Sequence, residues 1–206
     1  MTDLESNSKR WGKPLRGDEP FHCGGPTYED ALGQAKVTDF WRWGYSRLMA
    51  DVTRGVLAEF IVARLIGSDM TNPESPHREF DFRTASGHKV EVKSSAYVQD
   101  WNTRTATVPS FGGLKGKTYL DSDDYYESKT EPEYHSDIFV FCVLKEKDSD
   151  TVDPLNLEQW EFYILTRSAL EGAGHPNNLS LSQICKLKAI ACTWRELKSC
   201  VEAAER

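Results

Sequence analysis

Apolar residues recur every three or four positions between residues 39 and 66, which predicts a helix packed against a core. The members of this stripe are Leu48, Val52, Val56, Glu59, Val62 and Ile66. Gly67 supplies a stop for the helix. The preceding aromatic residues Phe40, Trp41, Trp43 and Tyr45 are expected to pack in the core and at the helix entry. Glu59 is the polar exception, because it places a carboxylate on the predicted buried face.

Two short alternating segments, 79–84 and 88–95, flank the sequence Ala85-Ser86-Gly87. A three-residue turn whose last position is a left-handed glycine predicts a β-hairpin. In this register Phe82 lies opposite Val90, and Asp81 lies opposite Glu91. The predicted apolar face consists of Phe80, Phe82, Val90 and Val92. The opposite face carries Asp81, Arg83, Lys89, Glu91 and Lys93.

Two further strands are predicted later in the chain. The continuous apolar run 138–144 is typical of a strand covered on both faces, and 160–165 follows a short predicted helix at 154–159. A capping box at Thr193 to Glu196 predicts the start of a terminal helix. This order of elements predicts one mixed α/β domain, a central sheet flanked by helices.

Residues 1–35, rich in glycine, proline and charge, are expected to form a polar N-terminal arm. The domain then covers 36–206, with a core at about 39–165 and an insertion at about 100–136.

The composition excludes several classes of protein. Among 206 residues, 39% are apolar and 11% aromatic, enough for a core and unlike a disordered chain. No apolar run approaches the ~18 residues of a membrane span, and the polar first ten residues are not expected to be a signal peptide. The five cysteines lack the spacing of a zinc ribbon, and reduced thiols in the cytoplasm are expected.

The net charge of −7 argues at first against a nucleic-acid partner. The charges are, however, segregated along the chain. Segment 83–117 holds six cations and two acids, net +4, whereas 121–161 holds thirteen acids and three lysines, net −10. The basic segment either lines a phosphate-binding cleft or is a solvated loop, and the acidic segment is expected to be a solvated loop.

The polar face of the hairpin holds the candidate catalytic residues. Glu91 and Lys93 leave the same face of a strand, and the register places Asp81 beside Glu91. Two adjacent carboxylates repel each other unless a proton or a cation lies between them, and Mg²⁺ takes oxygen ligands of this kind. With Lys93 available to act on water or phosphate, these residues suit metal-assisted phosphodiester hydrolysis.

These residues resemble the signature of the PD-(D/E)xK, or restriction-endonuclease-like, nuclease superfamily. The match consists of Asp81, the run Glu91-Val92-Lys93 and Glu59 on the preceding helix. Phe80 stands where the superfamily has its proline. The resemblance implies a restriction-endonuclease-like fold and Mg²⁺-dependent cleavage of DNA, with Mn²⁺ as a substitute. It also implies that Asp81, Glu91, the Val92 carbonyl and Glu59 bind the metal, while Asp81, Glu91 and Lys93 are the catalytic residues.

Further residues are predicted to contact nucleic acid: Arg83, Lys89, Gln99, Arg104, Lys115 and Lys117. A homodimer would allow both strands of a duplex to be cut.

Alternatives stay open at this point. The hairpin is otherwise a surface ribbon with Asp81–Lys93 and Arg83–Glu91 ion pairs, which contribute little stability. Glu59 would then pair with a buried partner such as Arg54 or Arg64. An alternative function is a catalytically inactive module of the nuclease fold that binds nucleic acid or a partner subunit. A phosphohydrolase acting on small nucleotides is a third.

Overall fold

The computed structural model describes residues 17–19, 21, 35–70, 79–101, 105–117 and 131–206. The chain divides into two compact units, one formed by 1–48 with 70–73 and the other by 49–69 with 74–206. The sheet and both apolar clusters belong to the second unit. Most of the predicted arm at 1–35 lies outside the described residues, so its boundary at residue 36 stays a prediction.

The first unit contains helix α1, Val37–Tyr45. The Asp39 carboxylate accepts a hydrogen bond from the Lys36 N–H at 2.8 Å, which closes the first turn. The prediction that the aromatic residues of this segment pack in the core is wrong. The segment forms a helix of its own, which ends at Tyr45. Its large aromatic side chains stand exposed: Phe40, Trp41, Trp43 and Tyr45.

The second unit begins with α2, Asp51–Ile66, which ends at Gly67 in the left-handed conformation (φ 80°), as predicted. Its buried face carries Arg54, Ala58, Ile61, Val62, Ala63 and Ile66. The prediction of a buried Val52 and Val56 is wrong, since these side chains are 80% and 50% exposed. The predicted stripe is buried only in the second half of α2, at Val62 and Ile66, because Arg54 and Ala58 occupy the buried face of the first half.

Within the described residues, five strands form one mixed sheet: β1 Phe82–Arg83, β2 Lys89–Ala96, β4 Ile138–Leu144, β5 Trp160–Thr166 and β7 Ile190–Cys192. They are hydrogen-bonded to one another in the order β1-β2-β4-β5-β7. β2 runs parallel to β4, and the other neighbouring pairs are antiparallel. Every residue of β4 is buried, which confirms the prediction of a strand covered on both faces.

The hairpin of β1 and β2 has the predicted register, with Phe82 opposite Val90. Gly87 adopts the left-handed conformation that the turn requires (φ 98°). The predicted place of Phe80 on the apolar face is wrong. Its ring is only partly buried and contacts Arg83 and Lys89, the cations of the polar face.

Each face of the sheet has its own apolar cluster. α2 covers one face, where Ala58 and Val62 belong to the same cluster as Val90, Val92 and Val140. The opposite cluster includes Phe111 and Leu114, so the predicted insertion contributes core residues. It also contains a short strand, β3 Ser110–Phe111, which pairs with β6 Leu179–Ser180.

Four short helical segments complete the described chain. They are a 3₁₀ turn Leu157–Gln159, α3 Arg167–Gly172, α4 Leu181–Lys186 and α5 Leu197–Ala204. No helix in the described ranges has the length and apolar character needed to cross a membrane.

Candidate active site at the edge of the sheet

The predicted catalytic residues lie where the short strand β1 ends against β2. The Asp81 N–H donates to the Val90 carbonyl at 3.0 Å. Two residues farther along β2, the Val92 N–H donates to Asp81 Oδ2 at 2.6 Å. The Asp81 side chain thus takes the position of a backbone acceptor, and this fixes its carboxylate beside the Glu91-Val92-Lys93 run.

Glu91 and Lys93 leave the same face of β2 and contact each other. Lys93 Nζ lies 2.6 Å from Glu91 Oε1, and both side chains are largely buried. The Ser136 hydroxyl donates to Glu91 Oε2 at 3.5 Å. Arg83, the alternative partner of Glu91, instead donates to the Gly87 carbonyl at 2.8 Å. The ionic contact of this strand is therefore between the two residues of the Glu-x-Lys run.

Helix α2 brings Glu59 into the electrostatic range of this cluster. Burial raises the pKa of Glu59, the Glu91 carboxylate raises it further, and the Lys93 ammonium lowers it. Arg54, considered as a partner of Glu59, donates to the Met49 carbonyl and to Asp51. Arg64, the other candidate, is exposed. The electrostatic neighbours of Glu59 therefore include Glu91 and Lys93 of β2.

Asp81 has the most perturbed carboxyl group of the cluster. Burial, together with the neighbouring Glu91 and Glu59 carboxylates, raises its pKa from 3.8 to about 8. The Val92 hydrogen bond and Lys93 act in the opposite direction. Carboxylates crowded in a poorly solvated place hold a proton or attract a cation.

The donors present are the hard oxygen ligands that Mg²⁺ takes, so the chemistry of the set fits this ion. The side chains as placed do not form a ready metal centre. Within the described residues, no three His, Cys, Asp or Glu side chains form a group able to hold a metal. Glu91 Oε1 is engaged by Lys93, and Asp81 Oδ2 by the Val92 N–H. A cation would compete with these two contacts.

The predicted nucleic-acid contacts fall in different environments. Arg83 and Lys89 flank the Phe80 ring at 4.7 and 5.2 Å, on the polar face of the hairpin. Lys115 lies 5.4 Å from the centre of the Tyr134 ring, and Lys117 is exposed. Gln99 is buried, and Arg104 lies outside the described residues.

A polar cleft next to this site has no counterpart in the sequence pattern. Its floor is Arg54, which is only 3% exposed although it carries a charge. Arg54 donates to Ser94 Oγ at 3.3 Å and to Gln99 Oε1 at 3.4 Å. These partners are 40 and 45 residues away in the chain, so no local spacing reveals the cleft. Arg54 lies outside the apolar stripe, so hydrophobic periodicity does not indicate that it is buried.

The chain was compared with models of known protein families and with curated proteins. Neither comparison found a match.

Proposed function

We propose that this protein is a metal-dependent DNA nuclease with a restriction-endonuclease-like fold and a PD-(D/E)xK-type site. The observation that carries the proposal is the position of Asp81 on the Glu91-Val92-Lys93 run, where the Val92 N–H donates to Asp81 Oδ2 and Lys93 Nζ lies 2.6 Å from Glu91 Oε1. Asp81, Glu59 and Glu91 interact electrostatically with one another and with Lys93, and the pKa of Asp81 is raised to about 8. Their clustering costs stability unless it serves a cation.

The resemblance to the nuclease superfamily assigns the roles. Asp81, Glu91 and the Val92 carbonyl, with Glu59, would be the donors for Mg²⁺ or Mn²⁺. The bound ion would supply Lewis-acid stabilisation of the charge that develops on the phosphate. Lys93 is held beside Glu91, where its ammonium orients the attacking water and stabilises negative charge. Asp81, protonated at neutral pH without a cation, gives up its proton when one binds.

Basic side chains on the same hairpin support a nucleic-acid substrate. Arg83 and Lys89 stand next to the carboxylates on the polar face, with the partly buried Phe80 ring between them. Cations at such positions neutralise backbone phosphates on either side of a cleavage point. Binding through such contacts weakens as salt rises, and the net charge of −7 predicts that nonspecific binding to DNA is weak.

We place this activity in the cytoplasm. The cysteines within the described residues (Cys142, Cys185, Cys192 and Cys200) are free thiols, which suits a reducing compartment. Action as a homodimer stays a prediction.

The proposal is tested by incubating plasmid DNA with the protein in Mg²⁺ and in EDTA. The Lys93→Ala variant is compared with Lys198→Ala, which removes an exposed lysine from α5. We expect Lys93→Ala to reduce the rate of cleavage at least ~100-fold, the scale of a lost proton-transfer or charge-stabilising group. Lys198→Ala should cut like the parent, and EDTA should abolish cleavage by all three proteins.

Equal rates for Lys93→Ala and the parent would contradict the mechanism. If the parent cleaves neither DNA nor RNA but still shifts DNA in a gel, the inactive binding module is the correct function. Urea unfolding midpoints of both variants, measured alongside, separate a lost activity from a lost fold.

A further inference from the structure

The cleft beside the candidate active site is a small, preformed cavity within the second unit. It has a volume of about 320 Å³. Its lining includes Asp51, Arg54, Ser94, Ser95, Gln99 and Trp101. This volume is near the lower limit of small-molecule sites, roughly 300 to 1,000 Å³. It therefore suits one ring system and not a base pair or a peptide.

Hydrogen bonds hold the floor of the cleft in place. Arg54 donates to the Met49 carbonyl at 2.9 Å and to Asp51 Oδ1 at 2.6 Å, besides its contacts with Ser94 and Gln99. Gln99 Nε2 in turn donates to the Ala96 carbonyl at 2.7 Å. A floor fixed in this way loses little conformational entropy when a ligand enters.

The rim of the cleft is apolar and exposed. The Trp101 side chain is 69% exposed, and Val108 is 73% exposed. A large indole left in water at the edge of a polar cavity is suited to cover a flat ring. Stacking on such an aromatic side chain is a general means of holding a nucleobase.

The charges of the residues that line the cleft indicate which kind of ligand it binds. Arg54 and Asp51 form an ion pair, and the other lining residues are uncharged. A site for a phosphate would carry excess positive charge, so a charge-balanced cleft favours a neutral, planar molecule with polar edges. Asp51, whose side chain is half exposed, offers an acceptor. The Ser94 and Ser95 hydroxyls offer donors and acceptors.

The cleft and the candidate active site share strand β2. Ser94 and Ser95 follow Lys93 directly on β2, and about 7 Å of extended strand separates the Cα atoms of Lys93 and Ser95. A nucleotide whose phosphate lies at Lys93 therefore has a cleft for a base within its reach.

We propose that this cleft binds a single unpaired nucleobase of the nucleic-acid strand, with Trp101 stacked on its ring and Asp51, Ser94 and Ser95 at its polar edge. The placement of the strand rests on the proposed nuclease function. A base inside a duplex is stacked and paired, so the cleft selects single-stranded DNA or a base turned out of the helix.

The test uses two fluorescent ten-nucleotide strands of equal charge, one with its bases and one in which every position is abasic. Binding is measured in EDTA, so that no cleavage takes place. The proteins are the parent, Trp101→Ala, Trp101→Phe and Trp43→Ala, the last removing an exposed indole from α1 that does not line the cleft.

We expect the parent to bind the intact strand about 10-fold more tightly than the abasic strand, the scale of one stacked base. Trp101→Ala should bring this ratio close to one, and Trp101→Phe should keep most of it. Trp43→Ala should leave it unchanged.

A ratio in Trp101→Ala equal to that of the parent would overturn the proposal. So would a ratio near one in the parent, or an equal loss in Trp43→Ala. The nuclease proposal is judged separately, by Lys93→Ala in Mg²⁺. Cleavage without a base preference rejects the cleft alone, and a Trp101-dependent base preference without cleavage rejects the nuclease alone.

Discussion

Two polar sites border Lys93 in the second unit, and they differ in how their charges are balanced. In the carboxylate cluster, Glu59 and Glu91 raise the pKa of Asp81, with Lys93 acting against them. In the cleft, the Arg54 guanidinium meets the Asp51 carboxylate at 2.6 Å and has neutral oxygen partners for its other donors. The carboxylate cluster therefore holds like charges that repel one another, whereas the charges of the cleft are paired.

This difference shows what kind of ligand each site favours. A cluster of like charges becomes more stable when a cation binds, so it suits a metal ion. A cleft whose charges already cancel gains little from an ion and instead binds a neutral group by stacking and hydrogen bonds. Helix α2 contributes Glu59 to the cluster and both Asp51 and Arg54 to the cleft. The orientation of this one helix therefore determines both sites.

The largest expected effect on stability comes from removing the Arg54 guanidinium, which pairs with the Asp51 carboxylate in the cleft. Arg54→Met keeps most of the side-chain volume but removes the donors to Met49, Asp51, Ser94 and Gln99. We expect the free energy of unfolding to fall by about 2 to 4 kcal/mol, since buried acceptors lose their partner. Urea denaturation measures this value.

The matched control is Arg64→Met, which removes an exposed arginine from the same helix. It should change the free energy of unfolding by less than about 0.5 kcal/mol. Similar losses in both variants would show that Arg54 is not the structural floor of the cleft.

A smaller effect is expected when pH changes the charge of the carboxylate cluster. The pKa of Asp81 is raised from 3.8 to about 8 in the folded protein. Between these values the folded state holds a proton that the unfolded state has released, so stability declines as pH rises. In EDTA we expect a loss of at least about 1 kcal/mol between pH 5.5 and 8.5, roughly 2 to 4 °C in Tm.

Asp81→Asn is the variant that isolates this effect. The asparagine amide oxygen can still accept from the Val92 N–H, but the side chain no longer titrates. Its Tm should vary less with pH than that of the parent, and parallel curves would contradict the raised pKa. Adding Mg²⁺ should stabilise the parent more at pH 8 than at pH 6, because the ion competes with the proton for the carboxylates.

Local patterns in the sequence predicted the hairpin and the strand Ile138–Leu144. A turn glycine and strict alternation are enough to set the Phe82–Val90 register, and a long apolar run defines a buried strand. That register places Asp81 beside the Glu91-Val92-Lys93 run. The candidate site was accessible from sequence because three of its members lie within thirteen residues, 81–93.

Features that depend on distant contacts could not be predicted in this way. Arg54 is buried only because Ser94 and Gln99 accept its hydrogen bonds from another element. Hydrophobic periodicity treats such a residue as exposed and assigns the buried face of α2 to Val52 and Val56. Phe111 and Leu114 were likewise assigned to an insertion, because their partners in the core come from remote strands.

The smallest effect tests the rotation of α2, on which both sites depend. Val56→Ala shortens a half-exposed side chain and should lower the free energy of unfolding by less than about 0.5 kcal/mol. Val62→Ala, on the same helix but fully buried, should cost about 1 to 2 kcal/mol through the cavity it leaves. If Val56→Ala proves the more damaging in urea denaturation, the first half of α2 is rotated so that Val56 faces the sheet. Arg54 would then turn away from the cleft, and the contrast between the two sites would fail.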